Sequence, residues 1–142
     1  NQPMQANGLQ LNVVYTDMNG NPLSVTKLQQ GTDFIAVVTV TNVTTSDIAN
    51  LALVHILPSG WEIFNERLNT TQTTENYTYQ DLRDDRILTY FNLKKGERKQ
   101  FSIRLQATYA GHFILPAVQC EAMYDTHVQA RTHAGKVIVN RQ

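Results

Sequence analysis

Gln100-Phe101-Ser102-Ile103-Arg104-Leu105-Gln106-Ala107-Thr108-Tyr109 alternates polar and apolar side chains without a break. Side chains two apart on an extended chain point to the same face. Phe101, Ile103, Leu105, Ala107 and Tyr109 therefore share one side, and this spacing predicts a half-buried strand. The same period of two recurs outward from it. On the N-terminal side, Arg86 to Leu93 places Ile87, Thr89, Phe91 and Leu93 on one face, and Lys94-Lys95-Gly96-Glu97 reads as the turn between the two strands. Leu9 to Tyr15 alternates almost as cleanly, and Asp17-Met18-Asn19-Gly20-Asn21-Pro22 stops it with a strong hairpin-turn signal. Phe34 to Thr41 is dense in Val and Thr. Leu51 to Leu57 is apolar on both faces, which predicts a central strand, and Pro58-Ser59-Gly60 ends it. On the C-terminal side, Ala110-Gly111-His112 turns into a strand from Phe113 to Cys120, and Lys136 to Asn140 supplies a last one. Pro116 lies inside a strand pattern and cannot donate to a ladder, so it is expected at an edge or a bulge.

Two polar segments read as loops. Asn69 to Tyr79 is one, with a short edge strand expected around Tyr77 to Gln80; Thr126 to Gly135 is the other. Seven or eight short strands with turn signals between them, and no helical periodicity, predict an all-β antiparallel sandwich of immunoglobulin-like or fibronectin-III-like type. The Cys…Trp…Cys spacing of antibody domains is absent. No internal repeat or linker is visible, so residues 1–142 read as one domain.

Composition narrows the function. The chain has 142 residues, 12 basic and 12 acidic side chains, four histidines, one cysteine and 42% hydrophobic residues. That apolar content suits a folded core. Zero net charge with no basic block argues against nucleic-acid binding, which needs clustered cations to displace counterions. A single cysteine rules out an internal disulfide and a Cys-rich metal site. No apolar run approaches the roughly 20 residues of a membrane helix. The first residues, Asn1-Gln2-Pro3-Met4-Gln5, lack the charged and apolar regions of a secretion signal.

No catalytic constellation emerges. His127 and His133, with Asp125 nearby, form a candidate weak metal site, against the plainer reading of surface-loop histidines. Cys120 falls in an apolar strand pattern and reads as a buried, inert thiol. Asp84 and Asp85 form a carboxylate pair, but the flanking Arg83 and Arg86 favour ion pairing over a raised pKa. Asp81 to Arg86 thus reads as a structural charge cluster at a strand entrance. Asn42-Val43-Thr44, Asn69-Thr70-Thr71 and Asn76-Tyr77-Thr78 match the N-glycosylation pattern, which matters only in a eukaryotic secretory pathway. Trp61 is expected to plug one end of the core, with a carbohydrate platform as the alternative. Met123 and Tyr124 are large side chains at a strand–loop junction. They pack the last hairpin, or they form a hydrophobic tip offered to a partner.

Several segments together resemble one family. They are Leu57-Pro58-Ser59-Gly60-Trp61-Glu62-Ile63, Leu82-Arg83-Asp84-Asp85-Arg86, Tyr109-Ala110-Gly111-His112-Phe113-Ile114-Leu115-Pro116-Ala117, Glu121-Ala122-Met123-Tyr124-Asp125, and Ala130-Arg131-Thr132-His133-Ala134-Gly135. In this order and spacing, from about Asp33 onward, the chain resembles the C-terminal, tenth macroglobulin domain (MG10) of bacterial α2-macroglobulins. The resemblance implies a fibronectin-like sandwich within a large, multidomain protease trap. There a protease cuts a bait region, the molecule rearranges, and a thioester in a separate domain bonds to the attacker. It implies a non-catalytic domain, at the C-terminus of a longer protein, that packs against the thioester domain and shields the bond until activation. The family's shielding loop carries a Met-Tyr pair, which falls on Met123 and Tyr124.

The implied partners are the thioester domain and neighbouring macroglobulin domains of the same chain, with target proteases engaged by the whole molecule. No cofactor, nucleic acid or membrane insertion by this segment is implied. The implied location is the periplasm, the cell envelope or the bacterial exterior, with any membrane anchor supplied by the parent's N-terminus. Two positions depart from the family pattern: Thr126 stands where Pro is common, and Cys120 where an aliphatic residue is. The thioester itself needs Cys-x-x-Gln, whereas the residue three after Cys120 is Met123. A free-standing sandwich module for adhesion or ligand binding on the cell surface is the alternative reading.

Overall fold

The computed structural model describes residues 5–64 and 79–142. In chain order its strands are β1 (Gln5–Asn7), β2 (Leu9–Thr16), β3 (Lys27–Gln29), β4 (Asp33–Asn42), β5 (Ile48–Ile56), β6 (Trp61–Ile63) and β7 (Tyr79–Leu82). They continue as β8 (Arg86–Leu93), β9 (Arg98–Ala107), β10 (Gly111–Leu115), β11 (Gln119–Ala122), β12 (Asp125–Arg131) and β13 (Gly135–Asn140). The described residues contain no helix. The fold is an all-β sandwich, as the period-two pattern predicts. Three sheets form it: β1-β12-β11-β5-β8-β7, β2-β4-β9-β6, and β10-β13-β3. Every pairing between these strands is antiparallel except β13 with β3, which is parallel.

The strongest sequence pattern sits where it matters. β9 pairs with β4 over nine consecutive residue pairs, from Asp33↔Gln106 to Thr41↔Arg98. β5 is central in its sheet, between β11 and β8. Its inward residues Leu51, Leu53 and His55 are buried, whereas Ala52, Val54 and Ile56 face outward and are half-buried. The turn at Lys94–Glu97 closes through Glu97 N–H donating to Lys94 O (2.9 Å) and Lys94 N–H donating to Glu97 Oε1 (2.8 Å). It carries the chain from one face of the sandwich to the other.

Two apolar clusters fill the interior. Leu11, Val40, Leu51, Phe91, Leu93 and Cys120 are among the first; Phe34, Leu57, Trp61, Leu105, Val137 and Val139 are among the second. Trp61 does plug the second: its ring meets Phe34 edge-on with centroids 4.8 Å apart, and Tyr15 at 5.8 Å. Its Nε1–H has no hydrogen-bond partner among the described residues.

Two expectations need correction. The strand foreseen from Phe113 to Cys120 is two strands in different sheets, β10 beside β13 and β11 beside β5 and β12. Pro116 lies in the crossing between them, where its missing N–H breaks no ladder. The polar stretch Thr126 to Gly135, read as a loop, contains most of β12 and the start of β13. Its outward residues His127, Gln129 and Arg131 are exposed, whereas Val128 and Ala130 turn inward. The solvent-facing side therefore hid the strand. β10–β11 and β12–β13 thus form one long hairpin, bent over the rim of the sandwich at Pro116 and His133. At the bend Thr132 N–H donates to Val118 O and Val118 N–H to Thr132 Oγ1, both at 2.9 Å. The edge strand expected near Tyr77 is β7, at the rim of the six-stranded sheet; Tyr77, Thr78 and the two triplets at Asn69 and Asn76 lie outside the described residues.

Candidate functional site

β11 and β12 join through a two-residue connection. Ala122 pairs with Asp125, which leaves Met123 and Tyr124 as the tip. The two residues are 44% and 83% exposed. Behind them the hairpin is firmly seated, because Cys120 and Ala122 on the inward face of β11, and Val118 just before it, are buried in the first cluster. The register then slips. Glu121 faces Gln129 but Ala122 faces Asp125, so residues 126–128 bulge from β12. Asn7 Nδ2 donates to His127 O (2.7 Å) and His127 N–H donates to Asp125 Oδ1 (3.2 Å), which ties the bulge down. On the other side Met123 N–H donates to Asn50 O (2.9 Å). Two large, adaptable side chains are thus held in solvent by a fixed backbone.

His127 lies on β12 and His133 beyond its end, six residues further along the chain. Among the described residues no three His, Cys, Asp or Glu side chains are grouped to hold a metal ion. Cys120 is fully buried, and burial first, with the Glu121 charge second, pushes its thiol up to about 12. It stays a thiol at neutral pH and is no nucleophile. Arg83 pairs with Asp81 (2.9 Å) and Arg86 with Asp85 (3.1 Å), and the Arg86 guanidinium lowers the Asp85 pKa. The charge cluster is the β7–β8 turn.

Asn42 is not a free glycosylation acceptor. It is fully buried, its amide donates to Ser46 O and Lys94 O, and its Oδ1 accepts from Thr44 N–H and Thr44 Oγ1–H.

Four of the five family-like segments divide between the two ends of β5. Thr108 N–H and Tyr109 N–H both donate to Gly60 O (2.9 and 3.0 Å), and Tyr109 Oη–H donates to Glu62 Oε2 (3.2 Å). The segments around residues 57–63, 82–86 and 109–117 therefore meet near the C-terminal end of β5. The Met123–Tyr124 tip stands beside its N-terminal end. Asn50, which touches the tip, escaped the sequence reading. Its signal was weak: an asparagine just before an apolar strand.

These features define a β-sandwich that presents a hairpin tip at one end. A family model, the bacterial alpha-2-macroglobulin MG10 domain, matches residues 8–126. The chain belongs to that family. It is 27% identical over 139 residues to the alpha-2-macroglobulin of Rickettsia conorii, covering 93% of this chain, and 28% identical over 131 residues to that of Pasteurella multocida, covering 91%. It spans 7% of the length of each of these relatives. The fold matches Salmonella alpha-2-macroglobulin reacted with methylamine (TM-score 0.84, 23% identity, 98% of this chain and 10% of that one). It also matches native Escherichia coli alpha-2-macroglobulin spanning domain MG7 to the C-terminus (TM-score 0.85, 18% identity, 99% of this chain and 24% of that one). Among the described residues no helix is long and apolar enough to cross a membrane.

Proposed function

We propose that this chain is the non-catalytic C-terminal domain of an extracytoplasmic bacterial protease trap of the alpha-2-macroglobulin type. Its Met123–Tyr124 tip covers a thioester in a neighbouring domain of the same protein until a protease cuts the bait. The observation that carries this reading is the tip itself: a methionine and a tyrosine exposed at 44% and 83%, beside a strand whose inward face is buried. A thioester survives only where water and amines are excluded. A flexible apolar side chain on a rigid strand end can exclude them, and a contact of two side chains is small enough to break on activation. Neighbouring macroglobulin domains of the parent complete the interface, and proteases meet the whole molecule rather than this piece. The much greater length of the relatives favours this reading over a free-standing adhesion module.

Methylamine tests it in the full-length parent. The amine attacks the acyl carbon, an amide forms, and the cysteine leaves as a free thiol that a colorimetric disulfide reagent titrates. Cys120, buried and protonated, contributes little to that signal while the domain is folded. Met123→Ala and Tyr124→Gly are each expected to speed thiol release tenfold or more. An unchanged rate in both variants, or a parent with no methylamine-releasable thiol, overturns the shielding role.

A further inference from the structure

The strand that carries the tip's neighbour is irregular at one point. Between Ile48↔Leu93 and Leu51↔Phe91, β5 advances three residues while β8 advances two. Ala49 and Asn50 therefore stand opposite Asn92 in a one-residue bulge. Asn50 has φ of +57°, the left-handed region, and is the sole non-glycine residue there among those described. Asparagine tolerates this region better than other side chains, and alanine pays steric strain in it.

The consequence reaches the tip. The β5–β11 ladder runs from Gln119↔Val54 to Ala122↔Leu51, and one more step brings Met123 opposite Asn50. A hydrogen-bonded antiparallel pair exchanges two bonds. Here Met123 N–H donates to Asn50 O (2.9 Å), but Asn50 N–H turns away and donates to Asn92 Oδ1 (2.9 Å). The Asn92 backbone carbonyl is itself held by Lys99 Nζ (2.8 Å). A chain of contacts thus runs from β8 through the bulge to the backbone of Met123, without using the Met123 side chain.

We propose that Asn50 and Asn92 are a positioning pair that fixes the Met123–Tyr124 tip through this last half-rung of the ladder. The left-handed turn aims the Asn50 carbonyl at Met123, and the Asn92 side chain holds the turn by taking the N–H it frees. Both residues are exposed, so the pair sets the tip's presentation and not the packing of the core. Its effect on trapping rests on the shielding role proposed above for the same tip.

Hydrogen exchange of the full-length parent, read by mass spectrometry, separates the two claims. Left-handed strain of the size alanine pays shifts a local opening equilibrium roughly five- to thirtyfold. Asn50→Ala should therefore raise exchange of the peptide spanning residues 121–126 at least fivefold, and Asn92→Ala, which removes the acceptor of the freed N–H, about two- to tenfold, while the peptide spanning 98–107 stays at its wild-type rate. Asn50→Gly, which keeps the left-handed region free, and Asn92→Asp, which keeps the acceptor, should remain near wild type. Unchanged exchange at 121–126 in both alanine variants overturns the positioning pair. So does an equal rise at 98–107, or a rise in Asn50→Gly as large as in Asn50→Ala. Methylamine-releasable thiol is followed in parallel. Faster exchange with unaltered thiol release upholds the pair and counts against the shielding role instead.

Discussion

Asn42 shows how one side chain holds a corner. A buried amide is costly unless its groups are paired, and here both ends are used. The donors bridge from the end of β4 to Ser46 O and Lys94 O, so the 43–47 loop and the 94–97 turn hang on one residue. The acceptor takes Thr44 N–H at 2.9 Å and Thr44 Oγ1–H at 2.7 Å. Asn42→Ala removes all of these bonds at once from a part-buried corner, a loss of about 2 kcal/mol. Urea unfolding of the chain is expected to show it as a lower midpoint. Asn42→Asp keeps the acceptor but replaces the donor with a carboxylate facing carbonyl oxygens, so it is expected to be no milder.

At the scale of elements, the contact between the β5–β6 link and the start of β10 is set by what is missing from a glycine. A Cβ on Gly60 would lie 2.3 Å from Phe113 Cε2, and one on Gly111 would lie 3.0 Å from Phe113 Cζ. The ring occupies the space that side chains would fill, while the Gly60 carbonyl takes two N–H groups from residues 108 and 109. Gly111, at φ of +147°, also adopts a conformation that other residues resist. Gly60→Ala is expected to cost about 1–3 kcal/mol through overpacking. The cost should shrink in a Phe113→Leu background, so a double-mutant cycle by urea unfolding checks the claim. Equal costs in both backgrounds would mean the ring is not what the new methyl meets.

The whole molecule has a titratable group where its two apolar clusters join. His55 lies between Leu53 of the first and Leu57 of the second, and it is 4% exposed. Burial lowers its pKa to about 4. The ordinary value is about 6.5, so between these limits the unfolded chain binds a proton that the folded chain refuses. Stability is therefore fully retained above about pH 6.5 and is lost as pH falls toward 4, by on the order of 3 kcal/mol in all. Urea midpoints between pH 7.5 and 4.5 measure the decline. His55→Leu should reduce it markedly, and an undiminished slope in that variant would place the proton uptake elsewhere.

The residues by themselves determined the class of fold. Gln100 to Tyr109 and the other alternating runs specify strands with one wet and one dry face, because a period of two is a local property that needs no partner. The family-like segments and the Met123–Tyr124 pair were legible for the same reason: each is a short run of consecutive residues. What tertiary structure alone decided is where strands change sheet and which groups meet. Pro116 interrupts an apolar run whose two halves join different sheets, and β12 hides its pattern behind exposed polar side chains. The contact of Asn50 with Met123 spans 73 positions. It depends on a bulge in β5 and on the register of β11, and register is fixed only when separate strands pair.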